Sequence, residues 1–230
     1  MKLSIIVPVY NEEKTIKQVL QKLAGLDFGA WETEIIVVDD GSEDNSKGLI
    51  GEFSIQNSEF RILEHEANQG KGSAIQTALK HVTGEAVVIQ DADLEYEPEE
   101  IRVLLEKFEK DKVVYGSRNL EPKRRGYSLY VFGVWLLTQL VNLFYGGRLT
   151  DVYTCYKLFP ARIIKNLNLT SRGFEFEMEA TVKLLKRGIK ITEVPISYSP
   201  RKFAQGKKIR ARDGLLGMRI LLKNYFTKRD

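Results

Sequence analysis

Acidic side chains follow one apolar segment at a spacing that suits a metal ion. Asp91 and Asp93 are separated only by Ala92, directly after the apolar run 86–90, and Glu95 follows two residues later. Carboxylates at positions i and i+2 can turn toward one ligand once the chain leaves a regular strand. Mg²⁺ and Mn²⁺ prefer such oxygen donors, usually one or two carboxylates together with substrate phosphates. The segment therefore predicts a Mg²⁺ or Mn²⁺ site at Asp91, Asp93 and Glu95.

A second acidic turn, Asp39-Asp40-Gly41-Ser42, also follows an apolar run. A carboxylate here can accept hydrogen bonds from a nucleotide base or a ribose hydroxyl, as acidic residues do in other nucleotide-binding folds. Asp-Gly is equally typical of a plain turn. Asp39 and Asp40 are therefore candidates for binding a nucleotide, with a plain turn as the alternative.

Two common nucleotide-binding motifs are missing from the sequence. It has no Gly-x-Gly-x-x-Gly at the first helix, and no Gly-x-x-x-x-Gly-Lys-Ser/Thr loop. The glycine-rich stretch Asn68-Gln69-Gly70-Lys71-Gly72 follows the third apolar run instead. It either caps the next helix, which we favour, or places Lys71 at a ligand pocket.

The elements that position these residues alternate along the first half of the chain. Short runs rich in Ile and Val predict strands that are buried on both faces, at 3–9, 34–39, 61–64, 86–90 and 113–115. Helical patterns lie between them, at 12–25, 44–56, 71–82 and 98–110. This alternation predicts an α/β fold with a mostly parallel, doubly wound sheet and helices on both faces. Ligands of such sheets bind at the carboxyl ends of the strands, where the acidic turns lie.

The second half of the chain is less regular and strongly basic. It predicts a loop at 123–126, helices at 128–145, 173–187 and 209–226, and an edge strand at 189–198 that is interrupted by Pro195. Residues 1–117 hold 12 basic and 23 acidic side chains (net −11), whereas residues 118–230 hold 23 basic and 8 acidic ones (net +15). Such asymmetry indicates a polyanionic or membrane-surface partner for the second half, with a solvated basic face as the alternative. No linker separates the halves, so we predict one domain over 1–230.

The composition excludes several protein classes. Hydrophobic residues make up 43% of the chain and charged residues 29%, which is typical of a globular rather than a disordered protein. The single cysteine, Cys155, cannot form an internal disulfide, which favours a cytoplasmic setting. We expect no signal peptide, because residues 1–2 lead directly into the apolar run 3–9 without a cleavage-site pattern after it. We expect no transmembrane domain, because the longest apolar stretch, 127–145, contains several polar residues.

Seven short motifs together resemble family 2 glycosyltransferases, which have the GT-A fold. Four of them lie in the first half: Pro-Val-Tyr-Asn-Glu-Glu at 8–13, Val-Asp-Asp-Gly-Ser at 38–42, Asn-Gln-Gly-Lys-Gly at 68–72 and Asp-Ala-Asp at 91–93. Three more are similar to the dolichol-phosphate mannose or glucose synthase group: Tyr-Gly-Ser-Arg at 115–118, Thr-Cys-Tyr-Lys-Leu-Phe at 154–159 and Glu-Val-Pro-Ile at 193–196. The resemblance extends over residues 3–216.

The resemblance implies roles for the matching residues. Those that would bind the sugar nucleotide donor are Pro8, Tyr10, Glu12, Asp39, Asp40, Asp91, Ala92 and Asp93. Arg118, Arg201 and Lys208 would bind the acceptor phosphate, and Asp93, Arg118 and Arg201 would be catalytic. Many relatives have Gln where Glu95 stands, and the Gly206-Lys207-Lys208 stretch departs by one position from their pattern. Residues 1–117 would form the nucleotide-sugar half, and 118–230 the acceptor half.

The implied reaction is an inverting transfer of a hexose from a nucleotide diphosphate sugar, of the GDP-mannose or UDP-glucose type, to a polyprenyl or dolichyl phosphate. A phosphate monoester is mostly dianionic at pH 7 and needs no general base. Both histidines, His65 and His81, lie outside the motifs and are expected to be structural.

The expected location is the cytoplasmic face of a membrane, to which the protein binds peripherally. The apolar stretch 127–145 contains Trp135, and the segment 209–226 is basic and amphipathic. Packing of both helices on the sheet or on a second subunit is the alternative. A separate membrane subunit or a homo-oligomer remains open, and no nucleic-acid partner is expected.

Other functions remain open. The same fold can transfer sugar to a soluble or glycan hydroxyl, which requires a base, for which Asp151 and Glu175 are the candidates. A nucleotidyltransferase, or a non-catalytic basic module that binds membranes or nucleic acids, is a further alternative.

Overall fold

The computed structural model describes residues 1–56, 60–120, 129–201 and 211–227 of the 230-residue chain. The strands are β1 Lys2–Val9, β2 Glu32–Asp39, β3 Phe60–Glu64, β4 Ala86–Ile89, β5 Val113–Ser117, β6 Lys157–Pro160 and β7 Ile191–Pro195. The helices are α1 Ile16–Ala24, α2 Ser46–Gln56, α3 Lys71–Leu79, α4 Ile101–Leu105, α5 Leu129–Tyr145, α6 Ala161–Asn166, α7 Phe176–Lys186 and α8 Ala211–Phe226.

The strands form one seven-stranded sheet in the order β3-β2-β1-β4-β6-β5-β7. Every neighbouring pair is parallel except those made by β6, which runs antiparallel to both β4 and β5. The strand order reverses direction between β1 and β4, so these two strands flank the topological switch point. The predicted α/β fold with a mostly parallel sheet is confirmed, and β7 is an edge strand as expected.

Alternating side chains of the buried strands contribute to two cores, one on each face of the sheet. On β1, Leu3, Ile5 and Val7 pack with α1, whereas Ile6 faces the opposite core. That second core contains apolar residues of α3 and α7. A third cluster joins α5, α7 and α8 through Val141, Val182 and Leu221. The two main cores hold the sheet rigid, so the loops at its carboxyl edge have a fixed base.

Several boundaries differ from the sequence expectations. The first helix begins at Ile16 rather than at residue 12, because residues 11–15 form a loop that bonds to the turn after β2. The helix expected at 98–110 is a 3₁₀ turn, Pro98–Glu100, followed by the short α4. Neither β6 nor α6 was expected. The loop expected at 123–126 lies outside the described residues.

No helix of the described residues is long and apolar enough to span a membrane.

Candidate active site

The acidic residues predicted from the sequence meet at the switch point of the sheet. The loop after β1 carries Glu12, and the loop after β4 carries Asp91, Asp93 and Glu95. Thr15 ties the two loops together, since its hydroxyl donates a 2.7 Å hydrogen bond to the carbonyl of Ala92. The chain after β7 returns to the same edge, where the N–H of Ser199 donates to the carbonyl of Glu95 at 3.0 Å. Four carboxylates therefore lie around one crevice.

The buried ammonium of Lys71 stabilises the ionised form of Asp91. The Lys71 ammonium lies 2.7 Å from Asp91 Oδ1, and both side chains are largely buried. Burial alone would raise the pKa of Asp91, but Lys71, the Cys155 thiol and Arg201 hold the pKa below its usual value. Asp91 is therefore ionised at neutral pH and able to coordinate a cation.

Asp93 stands in a more negative environment. Burial raises the pKa of Asp93 to about 7, the charges of Asp91 and Glu95 add to the rise, and Arg201 opposes it. The next residue, Leu94, adopts a left-handed backbone conformation with φ 57°. That turn lets Asp93 Oδ1 accept the N–H of Glu95 at 3.1 Å. Bulky residues rarely adopt this backbone conformation, and those that do cluster at functional sites.

Arg201 bridges three of the four carboxylates. Its guanidinium donates to Glu12 at 2.9 and 3.2 Å and to Asp93 Oδ2 at 2.8 Å, and its Nε lies 3.5 Å from Glu95 Oε1. Burial alone would lower the pKa of Arg201, but its carboxylate partners, Glu12 first, raise it overall. Arg201 thus lies among the acidic groups of the crevice, in addition to the acceptor-phosphate role implied by the resemblance.

The donor set fits a hard divalent cation, in which Asp91 and Asp93 are the ligands best placed. Their oxygens are of the type that Mg²⁺ and Mn²⁺ bind together with phosphates. The Glu95 carboxylate accepts hydrogen bonds from the Tyr198 hydroxyl and the Arg201 N–H, and Asp93 accepts them from Arg201 and the Glu95 N–H, so a cation would have to displace part of these contacts. Within the described residues, no three His, Cys, Asp or Glu side chains form a preassembled metal cluster. A cation bound here would need oxygens from substrate.

The two aspartates of the acidic turn at the end of β2 have different contacts. Asp39 is buried and accepts hydrogen bonds from the hydroxyl and the N–H of Ser42, which shape the turn. Asp40 bonds to His65 Nδ1 at 2.6 Å and to the N–H groups of Gln69 and Gly70 at 3.0 and 2.8 Å. Asp40 therefore anchors the glycine-rich loop, with His65 as one of its partners.

The two residues expected to bind phosphate or act as a base, Arg118 and Asp151, form a buried pair. Arg118 Nε and Nη2 donate to the two Asp151 oxygens at 2.6 and 2.7 Å, and the N–H of Arg118 adds a third bond at 3.1 Å. Asp151 is fully buried. Burial alone would raise the pKa of Asp151, but Arg118 lowers it overall. A low-pKa carboxylate with both oxygens paired is a poor general base, so we correct that expectation for Asp151.

Arg118 also supports the segment after β7. Its guanidinium carbon lies 4.9 Å from the centroid of the Tyr198 ring, and Tyr198 bonds to Glu95. The Arg118 side chain therefore positions one wall of the crevice. This contact gives the residue a structural role in addition to the phosphate-binding role implied by the resemblance.

The remaining candidates occupy different places. Pro8, the last residue but one of β1, pairs with Val38, and Tyr10 follows the strand in the loop. Glu175 precedes α7 and accepts the N–H of Gly173 at 3.1 Å. Lys208 lies outside the described residues.

The glycine-rich loop requires glycine for close packing. A Cβ on Gly70, which has φ 98°, would lie 2.5 Å from the Arg172 carbonyl oxygen, and one on Gly72 would lie 2.3 Å from that of Ser171. The loop therefore caps α3, as favoured from the sequence, and at the same time directs Lys71 to Asp91.

Sequence reasoning missed three buried residues next to the acidic loop: Cys155, Lys157 and Glu177. Cys155 contacts Asp91, and burial raises the pKa of its thiol well above the usual value. Lys157 forms an ion pair with Glu177, whose other oxygen lies 3.3 Å from the Lys71 ammonium. The sequence offered the motif at 154–159, which contains Cys155 and Lys157, but no local pattern showed that Glu177 of the predicted helix 173–187 would be buried beside them.

A family model described as "Glycosyl transferase family 2" matches residues 4–167 of the chain. The chain belongs to this family. A curated relative, an uncharacterized protein of Methanocaldococcus jannaschii, is 30% identical over 202 residues, which cover 84% of this chain and 86% of the relative. Family membership makes the chain a glycosyltransferase by descent, and the acidic crevice contains residues of two of the motifs on which the resemblance rests, at 8–13 and 91–93.

Solved structures of glucosyl-3-phosphoglycerate synthase from Mycobacterium tuberculosis share the fold. One, in complex with Mn²⁺, UDP and phosphoglyceric acid, superposes with a TM-score of 0.75 at 20% identity and covers 99% of this chain and 79% of the other. A second, with Mg²⁺ and UDP, has a TM-score of 0.74 at 20% identity, with 97% and 79% covered. These matches confirm the GT-A architecture of this glycosyltransferase.

Proposed function

We propose that this family 2 glycosyltransferase transfers a hexose from a uridine diphosphate sugar to the hydroxyl group of a soluble acceptor, with Mg²⁺ or Mn²⁺ as cofactor. The observation that carries the proposal is the pair Asp91 and Asp93 at the switch point of the sheet, where an ionised carboxylate and a second acidic oxygen face one crevice. The structurally similar synthases were crystallised with UDP and Mn²⁺ or Mg²⁺, and their acceptor carries a hydroxyl.

The chain's own residues support each part of this reaction. Asp91 and Asp93 would hold the cation, which when bound neutralises charge on the leaving diphosphate. Glu12, in the loop after β1, and Asp39, the last residue of β2, are the residues that would bind the nucleoside. A hydroxyl nucleophile needs a base, and of the two candidates Glu175 remains, since Asp151 is occupied by Arg118. Attack from the side opposite the diphosphate would invert the configuration at the anomeric carbon.

The donor test is a thermal-shift series with UDP-glucose, UDP-GlcNAc and GDP-mannose, each with and without Mn²⁺. We expect UDP-glucose with Mn²⁺ to raise the melting temperature by about 5 °C at a hundredfold excess over its dissociation constant. The Asp93→Asn variant should lose this shift, whereas Asp27→Asn, a carboxylate away from the crevice, should retain it. Equal shifts in both variants would contradict the assigned cation site.

The acceptor test follows transfer of labelled glucose from UDP-glucose. We expect product with small hydroxy acids that carry phosphate, such as 3-phosphoglycerate, and no product with Asp93→Asn. Transfer only to a polyprenyl phosphate would show that the acceptor is a lipid phosphate.

A lipid phosphate is the second candidate acceptor because of two surface helices. None of the 17 residues of α5 is charged, yet Phe132, Trp135 and Leu143 are exposed. On α8 the exposed face alternates cations with apolar side chains: Arg212, Leu215, Arg219, Leu222, Lys223 and Phe226. Tyr145 on α5 bonds to the Leu221 carbonyl at 2.7 Å, so the helices pack together. Basic amphipathic surfaces of this kind bind anionic bilayers.

Vesicle flotation tests this second candidate, which includes peripheral binding at the cytoplasmic face of a membrane. We expect the protein to float with vesicles that contain phosphatidylserine and to remain behind with phosphatidylcholine alone. The triple variant R212Q/R219Q/K223Q should lose flotation, whereas K14Q/K17Q/K80Q, which removes the same charge from other exposed positions, should not. Absence of flotation under every condition would rule out membrane binding. A dimer in light scattering would identify a second copy as the partner of these helices.

A further inference from the structure

Four buried charges of alternating sign run from the crevice into the protein: Asp91, Lys71, Glu177 and Lys157. Lys71 Nζ lies 2.7 Å from Asp91 Oδ1 and 3.3 Å from Glu177 Oε1. The other oxygen of Glu177 pairs with Lys157. The Lys71, Glu177 and Lys157 side chains are 8%, 3% and 0% exposed. These residues come from α3, α7 and β6, so three separate elements contribute to the row.

Burying such a row of charges costs free energy unless each charge is paired with its neighbour. Buried ions lose their hydration, and a pair of them is often no more stable than apolar residues of the same size. The far end is tightly fixed, since Lys157 also donates to the carbonyls of Val152 and Thr154. Lys71 Nζ and Glu177 Oε1 have no aligned hydrogen bond within the described residues, so charge holds them in place. The near end of the row is Asp91, which faces the crevice.

We propose that Lys71 is a positioning residue for Asp91, and that Glu177 and Lys157 hold Lys71 in place. Lys71 contacts Oδ1 of Asp91 at 2.7 Å and so fixes the orientation of the carboxylate that would bind a cation. Carboxylates that bind metals are commonly held by an outer partner of this kind, and loss of that partner weakens metal binding. The inference rests on the proposed function, because it requires Asp91 to bind a divalent cation.

The position of Lys71 distinguishes it from a competing cation. Arg201 reaches Asp93 from the segment after β7, at the open side of the crevice. Lys71 instead lies beneath Asp91, with Glu177 behind it. A competitor would weaken metal binding by its presence, whereas a positioning residue strengthens it, so the two roles predict opposite changes on removal.

The experiment measures Mn²⁺ affinity by electron paramagnetic resonance without nucleotide. Lys71→Met should bind Mn²⁺ about 10- to 100-fold more weakly than the wild type. Glu177→Gln keeps Lys71 but removes one charge that holds it, and should cause a smaller loss. Lys183→Met is the matched control, because Lys183 pairs with Glu179 at 2.7 Å on α7 away from Asp91, and its affinity should equal that of the wild type.

Each outcome decides the proposal. Weaker binding in Lys71→Met and Glu177→Gln, with the control unchanged, supports the positioning role. Equal or tighter binding in Lys71→Met overturns it, and if that variant fails to fold, Glu177→Gln decides in the same way. A wild-type protein that binds no Mn²⁺, with or without UDP, refutes the proposed function itself, so the two failures are distinguishable.

Discussion

At the scale of single residues, the charges of the crevice compensate one another. Arg201 contacts Glu12 and Asp93, the Lys71 ammonium contacts Asp91, and Arg118 pairs with Asp151. Like charges this close would otherwise raise one another's pKa values and destabilise the fold. The negative charge of the site is therefore only partly compensated by its own cations, and an incoming divalent cation would replace some of that compensation.

Removal of Arg201 should strengthen metal binding in the absence of substrate. Arg201→Ala takes away the guanidinium that contacts Asp93, and a partly exposed ion pair is worth about 1 kcal/mol. We expect Mn²⁺ to bind roughly fivefold more tightly to this variant, because about 1.4 kcal/mol corresponds to a factor of ten. Titration followed by electron paramagnetic resonance measures the Mn²⁺ affinity. Arg102→Ala, which removes only a bond to the Asp27 carbonyl, should leave the affinity unchanged; weaker binding in Arg201→Ala would contradict competition.

Removal of Arg118 should destabilise the whole protein. Arg118→Ala leaves the Asp151 carboxylate fully buried without its cation, and breaking such a pair costs about 3–5 kcal/mol. Urea denaturation gives this difference in the free energy of unfolding. Lys112→Ala breaks an ion pair with an exposed partner, Glu109, and should cost less than about 1 kcal/mol. A stable Arg118→Ala with lost activity would instead show that Arg118 acts chiefly on the substrate.

The site residues differ in how far the sequence could predict them. The pattern that points to Asp91 and Asp93 is local: two carboxylates directly after an apolar strand. The partners of Asp40 and Arg118 lie at residues 65–70 and 151, so their roles depend on contacts across the fold. No local pattern shows whether a carboxylate will face a ligand or a buried arginine.

At the scale of elements, the long strands and helices were predictable and the short ones were not. The strand β1 and helix α7 have apolar patterns that extend over several residues. The strand β6 has only four residues and begins with Lys157, whose buried position depends on Glu177. A lysine in a short apolar run reads as an exposed loop unless its partner is known, so β6 and the antiparallel pairing escaped prediction.

Glu34 joins three elements and gives stability a defined pH dependence. Its carboxylate accepts bonds from Ser4 on β1 and from Thr83 and Gly84 before β4. Burial would raise the pKa of Glu34, but bonds from Ser4, Thr83 and Lys2 lower it to about 2. Because the folded pKa lies below the unfolded value, the stabilisation is present above about pH 4.5 and is lost as pH falls toward 2.

We therefore expect Glu34→Gln to lower the free energy of unfolding by about 1–2 kcal/mol at pH 7, after allowance for solvent screening. The difference from the wild type should shrink between pH 4.5 and pH 3. Urea denaturation across this pH range measures it. Glu32→Gln, an exposed residue of the same strand, serves as the control. A difference that stays constant down to pH 3 would show that lost packing, rather than charge, causes the destabilisation.

At the scale of the whole molecule, the acidic and basic halves are interleaved in one sheet. The last strand of residues 1–117, β5, pairs only with β6 and β7, which both belong to the second half. The central strand β4 pairs with β6 as well. The charge boundary near residue 117 is therefore a feature of the surface and is no division of the core.

This interleaving predicts that the halves unfold together. The chain has two tryptophans, Trp31 in the first half and Trp135 in the second, so W135F reports on Trp31 and W31F on Trp135. Trp31 packs edge-on against Phe108, with ring centroids 5.1 Å apart, and Trp135 stacks on Phe132. Because β5 lacks neighbours without the second half, we expect urea midpoints from both fluorescence signals to coincide with that from circular dichroism. The control is the midpoint of each variant by circular dichroism, which corrects for any effect of the substitution itself. Separate fluorescence midpoints after this correction would show that the halves are independent folding units, in spite of their shared sheet.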